Sequence, residues 1–150
     1  MKRVIRFIQV GSVIALLSGC VSTSLTSDID PSADLTSLQN FYVVKFESDG
    51  RGVEEKIAAE LNAMGKNATS GTEPKSPSPV DAVVTYQDKW MWDMTMYMLE
   101  LSIDFRDPET NYPFATGRSY RTSLARKSPE EMVKEVLGKI FEGQSSGEAE

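Results

Sequence analysis

The chain has 150 residues, 40% of them hydrophobic and 25% charged, with a formal charge of −6, one cysteine and no histidine. This length allows one modest domain with its own core. The composition excludes an intrachain disulfide, histidine-based zinc sites and Ser-His-Asp or Cys-His nucleophile pairs. An acidic balance without a basic stripe argues against a nucleic-acid partner, because phosphate binding needs clustered Lys and Arg.

Lys2, Arg3 and Arg6 precede a mostly apolar run from Phe7 to Leu17, and small residues follow at Ser18 and Gly19. This is the layout of an export signal over residues 1–19, and its apolar part is too short to span a bilayer. Leu17-Ser18-Gly19-Cys20 resembles the lipobox of bacterial lipoproteins. The resemblance implies cleavage before Cys20, a diacylglycerol thioether on its sulfur and an acyl chain on the new amino terminus, with no other cofactor. Hydrocarbon burial at ~0.8 kcal/mol per CH₂ makes such a triple anchor effectively permanent. Val21 stands where such families carry Asp for inner-membrane retention, so the resemblance implies the periplasmic face of the outer membrane. Loss of residues 1–19 takes the formal charge from −6 to −9.

Residues 20–38 are rich in Ser, Thr and Asp without a sustained period and read as a flexible tether carrying the lipid. Residues 41–46 are aromatic and β-branched and predict a first strand. Val53, Ile57, Leu61 and Met64 share one face of a helix over 52–64, with Gly65 as its C-terminal stop. Residues 66–80 hold three prolines among Gly, Ser and Thr and predict a surface loop; Asn67-Ala68-Thr69 inside it matches a glycosylation pattern by chance.

Strands are predicted at 82–86, 97–105 and 114–122. The second alternates, with Tyr97, Leu99, Leu101, Ile103 and Phe105 on one face and Met98, Glu100, Ser102 and Asp104 on the other. A turn at 107–111 joins it to the third, where Gly117 predicts a bulge letting Phe114 and Tyr120 both face inward. Ser128-Pro129-Glu130-Glu131 is a capping box with proline at the first helical position. Val133, Val136, Leu137, Ile140 and Phe141 form the stripe of a closing helix that Gly143 stops, leaving a polar tail at 143–150.

The order β-α-β-β-β-α predicts an α+β domain over 39–142: a four-stranded, mixed, mostly antiparallel sheet with two helices on one face. DAVVTY, LELSIDFRDPETN and SPEEMVKEVLGKIF resemble small uncharacterised envelope lipoproteins of Gram-negative bacteria. That resemblance implies architecture and location and carries no active-site residue.

No G-x-S-x-G, S-x-x-K, Walker A or G-x-G-x-x-G string occurs, so the reading is non-catalytic. The unusual stretch is residues 90–98, with both tryptophans and four methionines. Trp90, Trp92, Met94, Met96 and Met98 are candidate partner-binding residues, Met94, Met96 and Met98 being expected on the sheet face opposite the helices. They fit packing over the open face, docking of an envelope protein, or, through Met94, Met96 and Met98, a thioether site for Cu(I) or an oxidant buffer. Asp104, Asp107 and Glu109 form no evident calcium loop or acid pair, and Asp107 is expected to cap its own turn.

Overall fold

The computed structural model describes residues 22–147, with side chains as far as residue 144. The export segment, Cys20 and Val21 lie outside the described residues.

Six strands and two helices follow one another: β1 (Thr23–Ile29), β2 (Asn40–Val44), α1 (Val53–Ala63), β3 (Asn67–Gly71), β4 (Ala82–Asp93), β5 (Thr95–Arg106), β6 (Pro113–Arg121) and α2 (Pro129–Gly147). The strands form one mixed sheet in the order β1-β6-β5-β4-β2-β3, antiparallel from β1 to β4 and parallel across β4, β2 and β3. The α+β class and the two helices agree with the sequence reading, but the sheet has six strands rather than four.

The two additional strands are its edges. β1 comes from the expected tether and pairs along its whole length with β6, from Thr23 opposite Arg121 to Ile29 opposite Ala115. Its Leu25 and Ile29 pack on the core, with half-buried Ser27 between them on the same face, while Thr26 and Asp28 face water. β3 comes from the expected loop and pairs in parallel with β2, from Asn40 opposite Asn67 to Val44 opposite Gly71. Ala68 is its main contribution to the core. Edge strands bury little, so their sequences carry little apolar periodicity.

α1 begins at the expected place, although no side chain of the capping residue holds its start. Asp49 does this from three residues upstream: its carboxylate accepts from the backbone N–H of Val53 at 2.7 Å and of Arg51 at 2.6 Å. The helix ends at Gly65, which has a φ of 83° and donates its N–H to Asn62. α2 starts on the predicted capping box. Glu131 N–H donates to Ser128 Oγ at 3.2 Å, and Ser128 N–H donates to Glu131 Oε2 at 2.9 Å.

Both helices bury their stripes in one core. Ile57 and Leu61 of α1 and Val136, Leu137 and Ile140 of α2 meet Phe41, Val43, Val84, Leu101, Ile103 and Phe105 of the sheet. Phe105 is fully buried, with ring centroids 5.3 Å from Phe41, 5.7 Å from Phe141 and 6.5 Å from Phe114. Gly117 has a packing role rather than the expected bulge: a Cβ there would stand 2.7 Å from Ile140 and 2.8 Å from Val136. The bulge of this ribbon lies three residues earlier, where Phe105 pairs with Ala115 but Arg106 with Pro113, leaving Phe114 as the extra residue.

α2 does not stop at Gly143. It runs on to Gly147, and Gly143 sits where the helix crosses β1, a position at which a Cβ would lie 2.8 Å from Ile29. Gln144, expected in the polar tail, accepts from Leu35 N–H at 2.7 Å and so fixes the segment after β1. Residues 22–38 and 143–144 are therefore parts of the domain.

Candidate functional site

The β4–β5 ribbon extends past the rest of the sheet, since β6 stops pairing with β5 at Glu100. Its register changes on the way out. Lys89 pairs with Glu100 but Trp90 pairs with Met98, so Leu99 is the extra residue of a bulge. The side-chain alternation of β5 is reversed beyond it.

This reversal corrects the expected face. Met98 is 1% exposed and belongs to the core with Leu101, Ile103 and Phe105, while Leu99 does not. By register Met96 and Met98 stand on the helix side together with their partners Trp92 and Trp90. The open face of the sheet carries charge instead. Glu100 bridges Lys89 at 3.1 Å and Arg118 at 2.8 Å, and Asp104 accepts from Thr116 at 2.8 Å and from Arg106 at 3.2 Å. The hydrogen bond from Arg118 holds the Glu100 carboxyl below its ordinary range.

Past the bulge the ribbon outruns the helices that cover it. Trp90 is still half-buried, with the Arg51 guanidinium 4.1 Å above its ring and its indole N–H donated to Asp88. Then cover ends: Met91 is 46% exposed, Trp92 69%, Met94 85% and Met96 48%. Met94 forms the tip between paired Asp93 and Thr95, with a φ of 59°. A residue with a Cβ is disfavoured there by roughly 1–2 kcal/mol. A large apolar side chain is thus presented to solvent from a costly backbone conformation.

The overhang is braced. Arg126 lies 4.9 Å over the Tyr97 ring, donates to Thr95 Oγ1 at 2.7 Å and to Ser123 Oγ at 2.8 Å, and approaches Asp93 at 3.8 Å. Ser123 Oγ donates to Asp93 as well. This fastens the short 3-10 turn Ser123–Ala125 beside the tip and brings Leu124, 81% exposed, to the same end. Of the seven large hydrophobic residues exposed among those described, five are therefore gathered here; Met64 and Tyr112 are elsewhere.

Of the residues singled out from the sequence, the structure brings together Trp92, Met94 and Met96 at the exposed end, leaves Trp90 at its base and takes Met98 into the interior. Met94, Met96 and Met98 therefore offer no common accessible face for a three-thioether metal site. Met91 and Leu124 were missed. Met91 has the parity of the other face, and a single Leu among the polar residues of 121–128 carries no periodic signal.

The opposite end of the molecule is acidic. Asp30, Asp34, Asp81 and Asp107 line a cavity of about 560 Å³ with Leu38, Tyr112 and Phe114. Each carboxylate is occupied locally: Asp30 by Ser32, Asp34 by Thr36, Asp81 by the backbone of Gln39 and Asn40, and Asp107 by Glu109 and Thr110. Asp107 caps its turn as expected, and among the described residues no group of His, Cys, Asp and Glu is arranged to hold a metal ion.

A third polar group is interior. Tyr86 donates its hydroxyl to Asp49 at 2.7 Å, accepts from Phe46 N–H at 3.2 Å and lies 3.3 Å from Glu54, which Lys45 bridges at 3.0 Å. Burial and then the Asp49 carboxylate push the Tyr86 phenol up. Burial works against ionisation of Asp49, but the donors from Tyr86, Arg51 and Val53 outweigh it and lower its pKa from 3.8 to about 2. This cluster ties the β2–α1 connection to β4 and opens onto no cavity described above.

No family model and no curated protein matches the chain. Solved structures do. The PelC dodecamer from Paraburkholderia phytofirmans is similar in two crystal forms. One gives a TM-score of 0.58 at 13% identity, covering 79% of this chain and 97% of that one. The other gives 0.55 at 12%, covering 80% and 95%. A minor lipoprotein from Acinetobacter baumannii aligns over 74% of this chain and 93% of its own at 13% identity, with a TM-score of 0.33. The PelC likeness shows a shared fold.

Proposed function

We propose that this chain is a non-catalytic lipoprotein, anchored through Cys20 to the periplasmic face of the outer membrane, whose domain binds another component of the cell envelope. The observation that carries this reading is the braced apolar end formed by Met91, Trp92, Met94, Met96 and Leu124. Large apolar side chains exposed together at one end of an otherwise well-packed domain mark a contact surface. Met and Trp are the residues enriched at the centres of such surfaces. The open sheet face, with its Lys89, Glu100, Arg118, Asp104 and Arg106 ladder, is already satisfied by its own ion pairs and drops out as the docking face. The fold it shares with a dodecameric protein adds assembly of like copies to the partners to be tested.

Two measurements test the reading. Cys20→Ser removes the acyl-accepting sulfur, so a fatty-acid analogue should label the native protein and leave the variant unlabelled and uncleaved; equal labelling overturns the anchor. A photoreactive amino acid at position 92 should then form an adduct with an envelope component in intact cells. Absence of any adduct in labelled, membrane-bound protein overturns the binding surface.

A further inference from the structure

The component that this end meets can be named from where the chain enters the domain. β1 begins at Thr23, opposite Arg121, and the Ser22 carbonyl accepts from Thr122 Oγ1 at 3.1 Å. Thr122 is adjacent to Ser123, which holds Asp93 at the tip of the β4–β5 ribbon. The amino terminus and the exposed apolar residues therefore occupy the same end of the molecule.

Cys20 precedes Ser22 by two residues, and an extended residue spans at most about 3.6 Å. The Cα of an acylated Cys20 would thus lie within about 7 Å of the Cα of Ser22. With β1 folded into the sheet, no long tether separates anchor from domain. The end carrying Trp92 and Met94 must then face the surface into which the acyl chains insert.

Its chemistry suits that surface. Trp settles at the boundary between headgroups and hydrocarbon, and apolar side chains ringed by cations bind there most strongly when the lipids are anionic. Arg51 and Arg126 lie against the ribbon, over the Trp90 and Tyr97 rings, and its acidic residues are engaged, Asp93 by Ser123 and Arg126 and Asp88 by Trp90. Asp30, Asp34, Asp81 and Asp107 are collected at the far end, away from an anionic surface.

We infer that the tip of the β4–β5 ribbon, with Leu124, is a membrane-docking element that inserts Trp92, Met94 and Met96 into the interfacial layer of the bilayer holding the Cys20 lipid. This rests on the proposed acylation of Cys20 and replaces an unspecified envelope component by the lipid surface itself. The lipid and the ribbon would act as two attachments, fixing the orientation of the domain as well as its location.

The full-length acylated protein, reconstituted in vesicles of phosphatidylethanolamine and phosphatidylglycerol with phosphatidylcholine brominated on its acyl chains, provides the test. Bromine quenches tryptophan only on contact, and Trp90, half-buried beneath Arg51, serves as the internal reference. Quenching should be several-fold greater in the native protein than in Trp92→Phe, an exposed position whose change leaves the fold intact by circular dichroism. Protein that carries the Cys20 lipid and floats with the vesicles, but whose Trp92 emission is the same with and without bromine, overturns the docking element and leaves the anchor standing. Protein without a lipid on Cys20 overturns both. A crosslink from position 92 to a second copy or another protein, with no quenching by lipid, assigns the end to a protein interface and also overturns the inference.

Discussion

One β-ribbon runs through two environments. Between Leu101 and Phe105 the inward residues of β5 are fully buried, and its outward residues pair in charged ladders across β4 and β6. Only a few residues earlier on the same strand Met96 is 48% exposed, and Met94 at the tip is 85% exposed. The residue types are equally apolar; what changes is that the helices and β6 have ended. Burial is decided by what lies opposite a side chain, and this ribbon is longer than the layers that could cover it. The overhang is nevertheless held by Arg126 and Asp93, so its exposure is a built feature of the end rather than fraying.

The largest contrast between the two regions is expected from truncation to alanine. Phe105→Ala removes a fully buried ring in contact with Phe41, Phe114 and Phe141, and should cost about 3–5 kcal/mol of unfolding free energy. Trp92→Ala removes a larger side chain that is 69% exposed and should change stability by less than about 0.5 kcal/mol. Chemical denaturation of both variants reads the difference. A loss above about 1 kcal/mol for Trp92→Ala would show that the end is an extension of the core, and the comparison would fail.

A smaller effect separates interior polar groups from surface ones. The Asp49 carboxyl has its pKa lowered from 3.8 to about 2 in the folded chain. A lowered folded-state pKa stabilises above the unfolded value, and that stability is lost as pH falls through the folded one. The contribution, on the order of 2 kcal/mol, is therefore complete above about pH 4 and disappears toward pH 2. Glu100 and Glu135 are also lowered, so the informative quantity is the stability of the native protein minus that of Asp49→Asn. That difference should shrink as the pH drops from 4 to 2. A difference independent of pH would place the role of Asp49 in its size rather than its charge.

Much of the sheet body was legible because burial leaves a period. Val53, Ile57 and Leu61 marked α1, Ser128 and Glu131 marked the start of α2, and Leu101, Ile103 and Phe105 marked β5. β1 and β3 left almost no period, since edge strands such as TSLTSDI and NATSG are fixed by backbone pairing with β6 and β2. Gly117 and Gly143 read as interruptions although each is a place where α2 comes close to a strand, a fact about distance that residue type does not encode. The unusual composition of 90–98 was visible, but its geometry was not. The bulge at Leu99 reverses the alternation, and nothing local distinguishes Met98, which is buried, from Met96, which is exposed.

The finest distinction between the two regions is at Met94, where stability and docking are expected to move apart. Glycine removes the backbone cost of a φ of 59°, roughly 1–2 kcal/mol, and returns about 0.5–1 kcal/mol through the greater freedom of the unfolded chain. Met94→Gly should therefore leave the domain as stable or up to about 1.5 kcal/mol more stable, because an 85%-exposed side chain contributes little packing. The same change deletes the outermost apolar group of the tip, so bromine quenching of Trp92 should weaken. In the body of the sheet a substitution that stabilises the fold has no such counterpart loss. Should Met94→Gly leave quenching unchanged while raising stability, the strained methionine contributes nothing to docking, and Trp92 and Met96 alone carry the contact.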